Sequence, residues 1–286
     1  MSKEKFFECI FNKFPTKKVS FHDCIEIKNK FFPDKLYKYT RAKYAEELLV
    51  DNLIYLPTIE ELNDPYEAHL FLNNKRLKKE ILKNIDLNKF PKNIVDEVSS
   101  KGINKLSNEV NHEYSKDLSV ICLSKDNCIN PMWGNYADRY QGMCLEYNLK
   151  DTEKTYLKNF CFPIKYVERK KDFEQIKSNE SFVHNNITFE PLLKKSYDWN
   201  YEKEWRIIIY KPIFRDMIET MAKDGKIKKY LKFIQPSKVY LGLNIENTYE
   251  NEILKICKEK GIEVCKMEID NTDYNFKYKP LYKNNE

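Results

Sequence analysis

Residues 199–210 read WNYEKEWRIIIY, and the run EWRIIIY at 204–210 predicts a buried β-strand. Glu202, Glu204 and Arg206 lie two residues apart, so on an extended chain their side chains point to the same face. Two carboxylates and a guanidinium at the start of so apolar a strand are costly unless they are paired. The pattern therefore predicts either an Arg–Glu network that braces a sheet or a catalytic or ligand-binding site, because perturbed carboxylates concentrate at such sites.

Patterns on both sides of this strand predict an α+β fold. We expect a single domain over residues 1–286, built on a central, mostly antiparallel sheet flanked by helices. The Lys/Asn/Glu-rich stretch 74–116 is predicted to be a helical insertion or lid, and the Lys/Asn-rich C-terminal tail is predicted to be loose. Further strands are predicted at 35–40, 53–56, 118–123, 142–147, 162–167, 238–243 and 262–267, and helices at 3–14, 41–51, 131–140, 172–198 and 246–260.

Composition narrows the class of protein. Of 286 residues, 42% are hydrophobic and 14% aromatic, which is enough to bury a sizeable core. No run reaches the roughly 18 apolar residues that span a bilayer, so no membrane association is expected. The eight cysteines form no Cys-x-x-Cys pair and mostly lie in apolar runs, which predicts reduced thiols, a cytoplasmic location and no metal site. The net charge of +6 indicates solvated lysine faces or a weak preference for anionic partners.

Two polar clusters lie near the start of the chain. In the predicted strand LYKY at 36–39, Lys38 points to one face and the tyrosines, including Tyr39, to the other, which is typical of an edge strand or of a cation facing a cleft. In NDPYE at 63–67, Asn63 and Asp64 precede a proline and favour a turn. Asp64 and Glu67 alternatively present carboxylates to a ligand.

An aromatic cluster occupies the middle of the chain. Trp133 and Tyr136 are three residues apart and share one face of the predicted helix. The two side chains either pack in the core or form an aromatic wall on which the flat ring of a ligand can stack. Gly142 begins the next strand, at a point where backbone can approach a ligand closely.

In this order, the clusters resemble the bacterial family catalogued as domain of unknown function 2971. The matching pieces here are LYKY at 36–39, NDPYE at 63–67, WGNYAD…QGMCLEY at 133–147, KYV at 165–167 and WNYEKEWR at 199–206.

The same order of motifs is similar to the ADP-ribosyltransferase fold, and that resemblance implies roles for several residues. Lys38 or Tyr39 would contact NAD, and Tyr136 or Trp133 would pack on nicotinamide. Glu204 would bond the nicotinamide ribose and stabilise its oxocarbenium ion, with Glu202 as its partner. Stabilising that cation with a fixed carboxylate is sound electrostatics in a site of low dielectric.

Three functions therefore stay open. The first is an NAD-dependent ADP-ribosyltransferase or NAD glycohydrolase, acting as a bacterial toxin or anti-phage defence effector on a protein or nucleic-acid acceptor. The second is a metal-dependent nuclease or phosphotransfer enzyme that gathers Asp64, Glu67, Glu202 and Glu204 around Mg²⁺. The third is a non-catalytic interaction or sensing module in which Arg206 is buried in a bidentate pair with Glu67 or Glu202.

Overall fold

The computed structural model of the chain describes residues 2–66, 68, 101–102, 104–105, 108–109, 111–112, 115–150, 152–168, 189–223, 225–272 and 276–284. Most of the predicted insertion at 74–116 lies outside these residues, as do Glu67 and residues 172–188 of the predicted helix at 172–198. Within the described part of the chain, no helix is long and apolar enough to cross a membrane.

The described residues form an eight-stranded sheet, a three-stranded sheet and a two-stranded sheet. The strands are β1 (Leu36–Thr40), β2 (Leu53–Tyr55), β3 (Leu118–Ser124), β4 (Met143–Tyr147), β5 (Cys161–Pro163), β6 (Lys165–Val167), β7 (Lys194–Ser196), β8 (Glu204–Tyr210), β9 (Ile218–Lys223), β10 (Lys226–Lys232), β11 (Lys238–Leu241), β12 (Glu263–Ile269) and β13 (Phe276–Tyr282).

The helical segments lie on both sides of the large sheet. The α-helices are α1 (Lys3–Glu8), α2 (Phe21–Asn29), α3 (Asn130–Tyr136), α4 (Thr155–Asn159), α5 (Glu190–Leu193), α6 (Lys211–Phe214) and α7 (Asn247–Lys260). Wider π-helical turns occupy Cys9–Lys13 and Glu46–Val50, and 3₁₀ turns occupy Ala42–Tyr44, Ile59–Glu61, Tyr197–Glu202 and Arg215–Met217.

The large sheet has the order β13-β12-β11-β4-β1-β3-β8-β5, and every neighbouring pair except β11–β12 is antiparallel. The predicted α+β class with a mostly antiparallel sheet is therefore confirmed. The strand predicted from EWRIIIY is β8, which lies between β3 and β5 and is buried at every position except Tyr210.

Alternation along β8 and β3 divides the core between the two faces of the sheet. The register pairs Ile121–Ile207 and Leu123–Trp205 belong to the main hydrophobic core on one face. The pair Val120–Ile208 contributes to a second core, formed largely with α1 and α2, on the other. Because side chains alternate along a strand, Glu204 and Arg206 share the face of Ile208, and both are enclosed there.

Three expectations are wrong. Cys9 and Cys24 form a disulfide, because the π-helical turn after α1 packs beside α2 with the two Cα atoms 5.7 Å apart. Residues 194–196, predicted to be helical, form β7, which pairs with β6. The tail is ordered over 276–282 because it alternates apolar and lysine residues and pairs with β12 at the edge of the sheet.

Candidate functional site

Four charged side chains meet at the start of β8. Glu202, Glu204, Arg206 and Lys195 are respectively 3%, 2%, 0% and 6% exposed. Glu202 ends a 3₁₀ turn and Glu204 begins the strand, while Lys203 between them takes a left-handed conformation with φ of 47°. This reversal of the backbone between turn and strand brings both carboxylates to the same lysine.

Each carboxylate is bonded to at least two partners. The Lys195 ammonium lies 2.7 Å from Glu202 Oε2 and 3.2 Å from Glu204 Oε2. The Arg206 guanidinium donates to both oxygens of Glu204, from Nε at 2.9 Å and from Nη2 at 3.0 Å, and its Nη1 donates to the Leu192 carbonyl at 2.8 Å. Arg206 is therefore buried in a bidentate pair with Glu204, whereas the interaction-module alternative predicted Glu67 or Glu202 as its partner, and Glu67 lies outside the described residues.

The two carboxylates differ in their electrostatic surroundings. Burial raises the pKa of Glu204, but the charges of Arg206 and Lys195 outweigh burial and lower this pKa to about 2. Burial and the neighbouring charge of Glu204 raise the pKa of Glu202, and Lys195 and Tyr136 offset that rise in part. Glu204 is therefore a well-neutralised anion, whereas the ionised form of Glu202 is under-compensated.

Tyr136 carries the network toward the surface. Its hydroxyl donates to Glu202 Oε1 at 2.5 Å, and the Asn63 side chain hydrogen-bonds the same hydroxyl. Burial and then the charge of Glu202 raise the pKa of Tyr136, so the phenol stays protonated and remains a donor. Tyr136 is half-buried and Asn63 is exposed, so this is the side on which the network approaches solvent. The structure thus brings together five residues selected from the sequence: Asn63, Tyr136, Glu202, Glu204 and Arg206.

Other selected residues lie elsewhere. The Lys38 ammonium donates to the Cys122 carbonyl at 3.3 Å, where β1 and β3 make a single register pair. The Tyr39 hydroxyl donates to the Asp126 carbonyl at 2.9 Å, and its ring meets the edge of Trp133. Trp133 is fully buried and donates from Nε1 to the Asn127 carbonyl, so its ring packs in the core.

Asp64 and Gly142 also have structural partners. A carboxylate oxygen of Asp64 accepts the Tyr66 amide at 2.9 Å, which is the Asx turn expected before proline. A Cβ on Gly142 would lie 2.2 Å from the Thr40 carbonyl oxygen, so the close approach at this glycine is to the protein's own backbone.

Three residues that contact the network were not predicted from the sequence: Lys195, Tyr166 and Ser124. The Tyr166 hydroxyl accepts the Glu204 amide at 2.8 Å, and the Ser124 hydroxyl donates to the Glu202 carbonyl at 2.7 Å. Tyr166 belongs to the KYV motif, which was available as a signal. No sequence signal pointed to Lys195, because residues 172–198 were predicted to be a helix in which it would be one exposed lysine among several.

Two cavities lie near the network. One of about 510 Å³ is lined by residues of the Asn63 segment, including Leu62 and Asp64, together with His112 and Ser115. The other, of about 450 Å³, is lined by Tyr166, whose hydroxyl bonds the Glu204 amide, and by Asn200 of the turn that carries Glu202. Both volumes are within the range that small ligands occupy.

The opposite shifts of the two carboxylates predict a specific pH dependence of stability. Glu204 has a folded pKa below its unfolded value of 4.5, so its contribution is present above pH 4.5 and is lost as the pH falls toward 2. The raised pKa of Glu202 acts with the opposite sign. Urea unfolding of Glu204→Gln is therefore expected to show a weaker loss of stability in acid than the parent, and Glu202→Gln a stronger one. Glu268→Gln, at an exposed position of β12, controls for the loss of one charge, and identical acid profiles for all three variants would contradict the assignment.

Comparison with known proteins identifies the region that contains the network. The family model described as protein of unknown function (DUF2971) matches residues 132–207, which confirms the resemblance predicted from the motifs. The matched region holds Tyr136, Lys195, Glu202, Glu204 and Arg206. No curated protein and no solved structure matches the chain, so the ADP-ribosyltransferase-like fold stays a prediction.

Proposed function

We propose, from the carboxylate network inside this matched family region, that the protein cleaves the bond between nicotinamide and ribose in NAD. It would act as an ADP-ribosyltransferase or as an NAD glycohydrolase. The observation that carries the proposal is the contrast at the start of β8, where Glu204 is neutralised by Arg206 and Lys195 while the pKa of Glu202 is raised. Two neighbouring carboxylates whose pKa values are shifted in opposite directions are typical of sites that assign different roles to paired acids.

The reaction needs an anion beside the ribose. When the nitrogen–C1′ bond breaks, its electron pair leaves with nicotinamide and positive charge develops on the sugar. Water, or a nucleophile of a protein or nucleic acid, then bonds C1′ and loses a proton. A preorganised carboxylate in a water-poor site stabilises the developing charge more than it could in water.

The electrostatics favour Glu202 over Glu204 as that carboxylate. The two carboxylates are equally buried, but Arg206 and Lys195 already balance the charge of Glu204, so an additional cation gains little from it. The charge of Glu202 is less completely balanced and gains more from a developing cation. In the proposed reaction Glu202 faces the sugar, Glu204 holds Lys195 and Arg206 in place, and Tyr136 lies on the approach to Glu202. This exchanges the roles that the resemblance assigned to the two glutamates.

The proposal also includes an ADP-ribosyltransferase-like fold and a biological role as a toxin or defence effector. The order of the motifs along the chain supports an ADP-ribosyltransferase-like fold, with the first strand, the aromatic helix and the late Glu-x-Glu pair in sequence. An enzyme that consumes NAD in a bacterial cell would suit a toxin or an anti-phage defence effector. Nicotinamide release is the property that tests this.

The enclosure of Arg206 favours a second candidate, a non-catalytic interaction or sensing module. Arg206 is fully buried, and its guanidinium reaches both Glu204 and the Leu192 carbonyl. In this alternative the network braces β8 against α5 and β7, and Glu202 has no substrate. Binding of a partner would then be independent of the identity of residue 202.

A metal-dependent nuclease has less support. Lys195 and Arg206 bond the carboxylate oxygens that a hard cation would require. In the portion of the chain that the structure describes, no group of three or more His, Cys, Asp or Glu is placed to hold a metal ion.

Incubation with NAD in the absence of added metal tests the proposal. We expect free nicotinamide to accumulate with the parent protein and to fall at least about tenfold with Glu202→Gln, a loss of roughly 1.4 kcal/mol or more in transition-state stabilisation. Glu268→Gln, which removes an exposed carboxylate from β12, is the matched control and is expected to retain full activity. If the parent releases no nicotinamide either with or without a mixture of candidate acceptor proteins and nucleic acids, the proposal fails.

A further inference from the structure

We infer that the 450 Å³ cavity between α1 and the β6–β7 pair binds the phosphate groups of a nucleotide. Three lysines line this cavity: Lys3, Lys165 and Lys194. The inference deepens the proposed function, because it assigns the part of the substrate that lies away from the glycosidic bond. Binding can nevertheless be measured without turnover.

The strongest observation is a pair of like charges in register. β6 and β7 are parallel, and Lys165 lies directly opposite Lys194. Like charges opposite each other on neighbouring strands destabilise a sheet. Glu190 offsets the charge of Lys194, and an anion placed beside Lys165 would offset the remaining repulsion.

Aromatic rings hold these lysines at the cavity. The ammonium groups of Lys165 and Lys194 lie 6.0 and 5.6 Å from the centroid of the Phe11 ring. Those of Lys3 and Lys165 lie 5.9 and 5.8 Å from the Phe7 ring. Each ring therefore lies near two cations, an arrangement that orients the lysines at the cavity.

The acidic residues of the cavity leave positive charge available. Glu190 pairs with Lys194, and Glu8 pairs with Lys13, which is not among the residues lining the cavity. Glu4 is exposed, and its charge offsets those of Lys3 and Lys165 only in part because solvent screens it. Burial and then the charge of Lys125 lower the pKa of Lys3, so its cationic form is under-compensated and would gain from a bound anion.

The cavity is connected to the carboxylates. Tyr166 lines it and accepts the Glu204 amide at its hydroxyl, and Asn200 lines it from the 3₁₀ turn that ends at Glu202. The larger cavity, beside Asp64, lacks this positive charge, since no lysine or arginine occurs among its described lining residues. Phosphate is therefore expected in the lysine-lined cavity.

Calorimetric titration of the full chain with ADP and with adenosine tests the inference. We expect ADP to bind and adenosine to bind at least about tenfold more weakly, because adenosine lacks the phosphates that the lysines would contact. Lys165→Gln, at an exposed position that is expected to fold normally, should weaken ADP at least about tenfold and leave adenosine unchanged. Lys226→Gln, which removes an exposed lysine from β10, is the matched control and is expected to leave both affinities unchanged.

The outcomes separate this inference from the proposed function. Equal affinities for ADP and adenosine, no binding of ADP, or equal effects of Lys165→Gln and Lys226→Gln would overturn the phosphate site. If ADP binds as expected but NAD is never cleaved, the proposed reaction fails and the phosphate site stands. If NAD is cleaved and Lys165→Gln leaves KM for NAD unchanged, the reaction stands and the phosphate site fails.

Discussion

Replacing Arg206 with methionine is expected to lower the free energy of unfolding by about 3–5 kcal/mol, the range measured when one partner of a buried ion pair is removed. Methionine keeps most of the side-chain volume but leaves Glu204 as a buried anion with Lys195 as its remaining cation. It also removes the donor to the Leu192 carbonyl. Urea denaturation at neutral pH measures the loss.

A double-mutant cycle between Arg206 and Glu204 complements this experiment. Glu204→Gln in the Arg206→Met background removes the uncompensated charge, so the double variant is expected to be more stable than Arg206→Met alone. Arg215→Met, at an exposed arginine, is the matched control and is expected to change stability by less than about 0.5 kcal/mol. If Arg206→Met costs no more than Arg215→Met, the network does not brace the sheet.

Features encoded by local alternation were predictable from the sequence. The spacing of Glu204 and Arg206 indicated that their side chains share one face of the strand, and the two do form a bidentate pair. Glu202 was expected on the same extended run, but it ends a 3₁₀ turn and reaches Lys195 through the left-handed conformation of Lys203. Lys38 and Tyr39 were correctly placed on opposite faces of one strand, because period-two alternation needs no knowledge of the neighbouring strands.

Features that depend on strand order were not predictable in this way. Lys38 does not join the carboxylates, because β1 and β3 share one register pair there and its ammonium reaches the Cys122 carbonyl. Lys195 does join them, although it belongs to a short strand that was read as helix. The pairing of β6 with β7 places that strand, and no pattern within residues 194–196 specifies a partner near residue 165.

The hairpin of β9 and β10 was missed for a related reason. Lysine fills much of β10, so its sequence shows little apolar alternation, and Tyr230 and Leu231 are its buried positions. The strand is held by pairing with β2 on one side and β9 on the other. Backbone pairing across a tight turn at Gly225, where φ is 70°, compensates for the weak pattern.

Gly142→Ala is the second change with a large expected effect, because the chain crosses itself at this glycine. Asp138, Arg139 and Tyr140 all take left-handed conformations, with φ of 51°, 55° and 68°, and turn the chain back so that the Gly142 amide donates to Ala137. The Gly142 carbonyl in turn accepts the Gly242 amide at 2.9 Å. A methyl group at position 142 would lie 2.2 Å from the carbonyl oxygen of Thr40, the last residue of β1, and 2.8 Å from that of Ala137, the C-cap of α3. Backbone at these two points cannot move aside as a flexible side chain would.

We expect Gly142→Ala to cost about 3 kcal/mol or more in the free energy of unfolding, at the upper end of the range for overpacked sites. Gly134→Ala is the matched control, in the helix α3 that precedes the turn to Gly142. A Cβ there meets nothing within 4 Å, and alanine is the better helix former, so this change is expected to be neutral or to stabilise by up to about 1 kcal/mol. Urea denaturation of both variants measures the difference. Equal effects at the two positions would mean that the chain before β4 can shift away from β1, and a shift of that size would also move the helix that carries Tyr136 relative to Glu202.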